Sequence, residues 1–214
     1  MTMIADIHTH RPDAVDAVIS VNPWEFAPVP GLLYSVGIHP WHLHNATDAH
    51  FAMLEAIARR TDVVMIGECG IDKVRRASAI ERQIEAVRLH AALSECVCKP
   101  LVLHCVRASN ELCALRRLLR PRQPWIIHGF RGKAAVAAQL LKAGFYLSYG
   151  ERFNAESLMN TQADRLLAET DESQQSITEI YTHIAECLGK PVEELTSTIR
   201  RNINSLLWPL ASGL

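Results

Sequence analysis

The chain has 214 residues, 49% of them hydrophobic, and a formal net charge of −1 at pH 7. That length and apolar fraction fit one globular domain over 1–214 with a sizeable core. The near-zero charge excludes a chain drawn to nucleic acid by bulk electrostatics, so a polyanionic substrate would need a local basic patch.

Short apolar runs alternate with longer amphipathic ones. Strands are predicted over 3–8, 17–22, 33–38, 63–68, 101–104, 125–128, 144–148 and 166–170. Helices are predicted over 47–60, 78–97, 108–119, 132–142, 173–188 and 192–206. This alternation predicts an α/β fold, a TIM-like (β/α)8 barrel. Only Arg11 to Asp16 separates the first two strands, and Asn22 to Leu32 holds three prolines and a glycine. Neither segment suits a crossover helix, so the barrel is expected to be trimmed or distorted near its N-terminus.

The first strand runs into Asp6-Ile7-His8-Thr9-His10. Residues two apart share a face of a strand, so His8 and His10 can reach one ion, with Asp6 below them to orient a ligand. The plainer reading is a strand end with ordinary exposed histidines. No leader with a basic start and a long apolar stretch precedes this strand, and no apolar run reaches membrane-spanning length. A cytoplasmic protein without membrane contact is expected. The third strand leads into Gly37-Ile38-His39-Pro40-Trp41-His42-Leu43-His44. His39 is placed to touch substrate, while His42 and His44 read as loop surface.

Glu68 follows Val63-Val64-Met65-Ile66-Gly67. Its two oxygens can bridge two ions, which one imidazole cannot do. Cys69 beside it is expected to pack. The helix over 78–97 has Ser78 as its expected N-cap, with Glu81 completing a capping box. His104 and His128 each close a short apolar strand. One such histidine reads as a core residue, but two in successive strands read as ligands. Arg107 and Arg131 follow them closely and could clamp an anionic group, although either could also be a solvated loop arginine. Asp171 follows Leu166-Leu167-Ala168-Glu169-Thr170. It reads either as a ligand and proton acceptor or as the N-cap of the helix over 173–188. Glu169 is expected to sit one layer deeper without a role, and His50, His90 and His183 to be structural or solvated. The six cysteines are Cys69, Cys96, Cys98, Cys105, Cys113 and Cys187. They are expected to be reduced thiols, with Cys96 and Cys98 structural. Aromatic residues make up 6% of the chain and show no base-stacking pattern.

Six nitrogen and oxygen ligands at the mouth of a barrel suit two divalent ions and hydrolysis of an ester, often a phosphoester. Zinc, magnesium and manganese all fit mixed imidazole and carboxylate donors.

In order along the chain, several segments resemble the TatD family of metal-dependent hydrolases. They are Asp6-Ile7-His8-Thr9-His10, Gly37-Ile38-His39-Pro40 and Gly67-Glu68-Cys69-Gly70-Ile71-Asp72, followed by Leu103-His104-Cys105-Val106-Arg107, His128-Gly129-Phe130-Arg131 and Glu169-Thr170-Asp171. The resemblance implies a TIM-like barrel in which His8, His10 and Asp171 hold a first ion, Glu68 bridges, and His104 and His128 complete a second. It also implies deoxyribonuclease action, including 3′-exonuclease action on single-stranded DNA. Lys73 stands where the family often has tyrosine, and the family's proline-rich loop after the last aspartate is missing. Two other readings stay open: hydrolysis of a small phosphoester, amide or lactone, or a metal-stabilised binding subunit without turnover.

Overall fold

A computed structural model describes residues 3–75 and 77–208. Eight strands run in chain order around one parallel sheet: β1 (Asp6–Thr9), β2 (Ala17–Val21), β3 (Leu33–Val36), β4 (Val63–Asp72), β5 (Leu101–Val106), β6 (Trp125–Ile127), β7 (Tyr146–Tyr149) and β8 (Leu166–Ala168). A parallel bridge between Thr9 and Asp171 brings the last strand round to the first. The Asp171 N–H donates to the His8 carbonyl at 2.9 Å, and the His10 N–H donates to the Asp171 carbonyl at 3.2 Å. The result is a nearly closed barrel, and closure removes the exposed sheet edges that invite aggregation.

Among the described residues, seven α-helices accompany the strands: α1 (Asp48–Ala58), α2 (Ile80–Val97), α3 (Ser109–Leu119), α4 (Ala134–Lys142), α5 (Ala155–Met159), α6 (Ile177–Leu188) and α7 (Val192–Leu207). No helix joins β1 to β2, and β2 to β3 carries only a 3-10 turn at Pro23–Glu25, so the trimming expected from the sequence is present. The C-terminal helix ties down the first strand's approach instead. Asn204 accepts from the Ile4 N–H at 3.2 Å and donates to the Ile4 carbonyl at 3.0 Å. Its apolar face (Leu195, Ile199, Ile203, Leu206) repeats every three or four residues and is buried. Each such side chain contributes roughly 1.5–3 kcal/mol by leaving water. Among the described residues, no helix is long and apolar enough to cross a membrane.

Two helix starts differ from the sequence expectation. The N-cap of α2 is Ala79, not Ser78, and the Ser78 hydroxyl has no partner among the described residues. Gln83 does the tying there: its amide donates to the Ser78 carbonyl at 2.9 Å and its oxygen accepts from the Asp72 N–H at 2.7 Å. The helix expected from 173 starts at Ile177, with Ser176 and Glu179 forming its capping box. Asp171 is therefore not a helix cap. Residues 172–176 form a loop pinned by Arg11, whose Nη2 donates to the carbonyls of Ser173 (2.6 Å) and Gln175 (2.8 Å).

Candidate metal centre

Strand β4 sets the site. It does not end at Glu68 as expected but continues to Asp72, and its register against β5 slips between Ile66 and Cys69. Such a bulge re-aims a side chain, here Glu68, while the strand goes on. Gly67 (φ +123°) and Gly70 (φ +151°) permit it, since a Cβ would run into the Val102 carbonyl at the first and the His104 carbonyl at the second. Extended pairing then sets Gly70 opposite His104 and Asp72 opposite Val106. His104 likewise lies inside β5 rather than at its end.

Glu68 is the hub. Five imidazoles approach its carboxylate, and they divide between its two oxygens. Oε2 faces His8 Nε2 at 3.4 Å and His10 Nε2 at 3.8 Å. Oε1 faces His128 Nε2 at 2.7 Å, His104 Nδ1 at 2.9 Å and His39 Nε2 at 3.0 Å. Asp171 Oδ1 stands 3.6 Å from His10 Nε2 and 3.9 Å from His8 Nε2. Donor atoms gather within 4.8 Å of one another in three groups: His8, His10 and Glu68; His8, His128 and Asp171; and His39, Glu68 and His104. The six ligand candidates from the sequence are thus brought together. His39 joins them as a donor, closer in than a residue that only touches substrate.

Burial and charge explain the titration behaviour. Desolvation would push the Glu68 carboxyl up, but the positive His128, the nearby His10 and the hydrogen bonds from His104 and His128 outweigh it and hold the acid well below its ordinary range. Burial would lower His128, yet Glu68 and Glu169 drive it well above the usual imidazole value. His10 is raised, as Glu68 and Asp171 overcome its desolvation. His39 is lowered because desolvation wins there.

Two carboxylates stand behind the imidazoles on the Oε1 side. Asp72 Oδ2 faces His104 Nε2 at 3.3 Å, and Glu169 Oε1 faces His128 Nδ1 at 3.2 Å while accepting the Gly129 N–H at 2.6 Å. Glu169 is fully buried and is no bystander, contrary to the sequence expectation. In the sequence, Asp72 stands out only as the last residue of the Gly67–Asp72 motif. Its spacing of four from Glu68, on one face of a strand, was the signal. Burial would raise Asp72, but hydrogen bonds from the Arg75 and Val74 backbones, Trp41 and His104 bring it down to about 2.

Asp6 also differs from expectation. Its carboxylate accepts from the His8 and Thr170 N–H groups (3.2 and 3.1 Å) and from the Thr170 hydroxyl (2.6 Å). It clamps the strand that carries His8 to the segment before Asp171 and does not touch an imidazole. Burial raises it to about 7 against those hydrogen bonds.

The centre opens into a cleft of about 980 Å³. Arg75, Arg107 and Arg131 line it from the loops after β4, β5 and β6, with Glu25 and Glu172 also on its walls. Arg131 Nη2 is 3.9 Å from Asp171 Oδ2, too far for a hydrogen bond. Arg107 and Asp171 both hold φ +53°. Side-chain-bearing residues rarely adopt that conformation, and such strain concentrates at functional sites. Cys69 is buried and packs as expected; Cys96 and Cys98 are exposed at the end of α2 rather than packed, and all six cysteines are free. His42 and His44 are exposed.

The family model for TatD related DNase matches residues 24–207. The match begins after His8 and His10, which geometry alone joins to the rest. A "3'-5' ssDNA/RNA exonuclease TatD" from Edwardsiella piscicida is 32% identical over 146 residues, covering 64% of this chain and 56% of that protein. A protein of the same description from Pantoea vagans is 31% identical over 206 residues, covering 83% and 78%. Matches to the first three curated relatives span only 56–58% of those proteins' length. Among solved structures, the TatD homolog YJJV from Escherichia coli K12 superposes with a TM-score of 0.85 at 19% identity, covering 96% of this chain and 98% of that one. At that identity the likeness concerns the fold.

Proposed function

The chain belongs to the TatD-related DNase family, and from that premise we propose that it is a metal-dependent phosphodiesterase that trims single-stranded nucleic acid from the 3′ end. The observation that carries the reading is the division of imidazoles between the two oxygens of Glu68. One bridging carboxylate with separate donor sets on either side suits a pair of divalent cations.

The residues fit such ions. His8 is fully buried, yet neither ring nitrogen has a hydrogen-bond partner among the described residues. A buried polar group without a partner is costly, and a cation beside Glu68 and Asp171 would satisfy it. His8, His10 and Asp171 would hold one ion, His104 and His128 the other, with His39 within reach of the second. Zinc, manganese or magnesium held there would supply Lewis acidity and lower the pKa of bound water.

Each side chain then has a task. Asp171, partly open to the cleft, orients the attacking water and accepts its proton. Arg107 and Arg131 hold phosphate oxygens. Glu68 keeps the imidazoles facing inward. Six free thiols favour a reducing compartment such as the cytoplasm. Acidic Glu25 and Glu172 on the cleft walls favour a second reading, a small phosphoester substrate that carries less charge than a polynucleotide.

The test is digestion of labelled single-stranded oligonucleotides, alongside small phosphoesters, by purified protein loaded with zinc, manganese or magnesium. Cleavage of the oligonucleotides is expected to require metal and to be lost in Glu68→Ala and Asp171→Asn. Cleavage that survives a chelator, or variants as active as the parent, overturns the reading.

A further inference from the structure

At the cleft wall, the Arg75 guanidinium carbon lies 3.9 Å from the centroid of the Trp41 ring. That is a close cation–π stack, and both residues line the cleft with His39 and His104. The indole is fixed from several sides. Its Nε1–H donates to Asp72 Oδ2 at 2.8 Å, and its backbone N–H donates to His39 Nδ1 at 3.2 Å. Its ring stands edge-on to His39 at 4.7 Å and to His104 at 5.7 Å between centroids. Asp72 Oδ1 meanwhile accepts the N–H of Val74 and of Arg75, each at 2.8 Å. One buried carboxylate therefore anchors both members of the stack and backs the imidazole that faces Glu68.

We propose that Trp41 and Arg75 form a platform on which a nucleobase of the substrate stacks beside the reacting phosphate. The proposal rests on the phosphodiesterase reading. Arg75 is exposed and has no acidic partner among the described residues, so its outer face is available. A guanidinium plane backed by an indole offers a flat, preorganised surface, and planar guanidinium and aromatic groups are the usual stacking partners of unpaired bases. A phosphate would meet the guanidinium edge instead, and Arg107 and Arg131 already serve that need. If the stack only stabilised its loop, the protein would be indifferent to whether the substrate carries a base.

The experiment compares kcat/KM for single-stranded oligonucleotides that are identical except at the 3′-terminal residue, which is either a nucleotide or an abasic site. The metal-loaded full chain is expected to prefer the base-bearing end by about tenfold, the scale of one base stack. Trp41→Leu and Arg75→Lys are expected to bring that ratio to about one, while Trp41→Phe retains most of it. Lysine keeps the charge and loses the plane, so Arg75→Lys separates stacking from phosphate attraction. A ratio near one in the parent, or an unchanged ratio in Trp41→Leu and Arg75→Lys, overturns the platform and leaves the phosphodiesterase standing. If no oligonucleotide is cleaved under any metal, the phosphodiesterase reading falls. The platform is then judged by binding of dAMP against deoxyribose 5-phosphate, where equal affinities overturn it and a preference for dAMP that Trp41→Leu removes upholds it.

Discussion

The imidazoles that reach Glu68 from the first strand and those that reach it from the fifth and sixth are held by different means. On the β1 side, His8 has no hydrogen-bond partner on either nitrogen among the described residues, and Asp6 secures backbone N–H groups and the Thr170 hydroxyl rather than an imidazole. On the other side, Asp72 backs His104 and Glu169 backs His128. A carboxylate behind an imidazole fixes its tautomer and orientation and raises its basicity. The Oε1 side is therefore preorganised by side chains, whereas the Oε2 side relies on strand geometry and on the closure between Thr9 and Asp171. For the two ions proposed above, unequal bracing implies unequal affinities, with the Oε1 side the tighter, so metal titration is expected to show two steps.

The strongest way to break that comparison is Glu68→Gln, which keeps the volume and removes the shared charge. Both steps are expected to collapse together, with metal-dependent turnover falling on the order of 10³-fold or more. Calorimetric titration that still shows one intact step would mean that Glu68 serves one side alone.

The third imidazole on the Oε1 side extends the contrast. His39 follows Ile38, whose N–H donates to His90 Nε2 at 3.0 Å, and His90 Nδ1 in turn meets the Ala86 carbonyl at 2.7 Å. Both bonds use the neutral ring, and full burial pushes its pKa down from 6.5 to about 4. Between those values the unfolded chain takes up a proton that the folded one refuses, so stability falls as pH drops from 6.5 towards 4. The loss across that window is about 3 kcal/mol. Urea unfolding of metal-free protein at pH 7 and pH 5 would show it, and His90→Gln should be less stable at pH 7 with a flatter dependence below it. An unchanged slope in the variant would remove His90 from the bracing.

The braces themselves come next. Glu169→Gln and Asp72→Asn are each expected to weaken the tighter metal step by roughly 10- to 100-fold while leaving the weaker one nearly alone. Equal weakening of both steps would mean that bracing is shared across Glu68 and that the asymmetry is not real.

Much of this centre was legible in the chain, and the reason is periodicity. His8 and His10 are two apart in a strand, and His104 and His128 close apolar runs, so their common face follows from the pleat. The bulge at Gly67 was not legible, because an unpaired residue leaves no trace in an apolar run. It shifted the end of β4 from Glu68 to Asp72 and turned a motif residue into a brace. Glu169 was placed correctly on the ligand face, but its partner lies on β6, and a single strand's pattern does not name a neighbour across the barrel. The Ser78 cap failed for a similar reason. The local signal lost to Gln83, which bonds to Asp72 across the loop.

The smallest effects belong to the arginines, and they ask whether the braced side is also where phosphate enters. Arg107 and Arg131 sit on the loops after β5 and β6, the same strands that deliver the braced imidazoles. Arg131 is 58% exposed and 3.9 Å from Asp171, so its electrostatic contribution is screened by water and salt. Arg131→Ala is expected to raise KM for an oligonucleotide several-fold with little change in kcat. The slope of log affinity against log salt should fall by about 0.7, the value of one single-strand phosphate contact. Arg107→Ala should act alike, since alanine keeps the Cβ and leaves the φ +53° backbone as strained as before. A fall in kcat with KM unchanged would instead tie Arg131 to Asp171. The guanidinium would then be holding the proton acceptor on the unbraced side, and the division between the two halves of the site would run through the substrate rather than through Glu68.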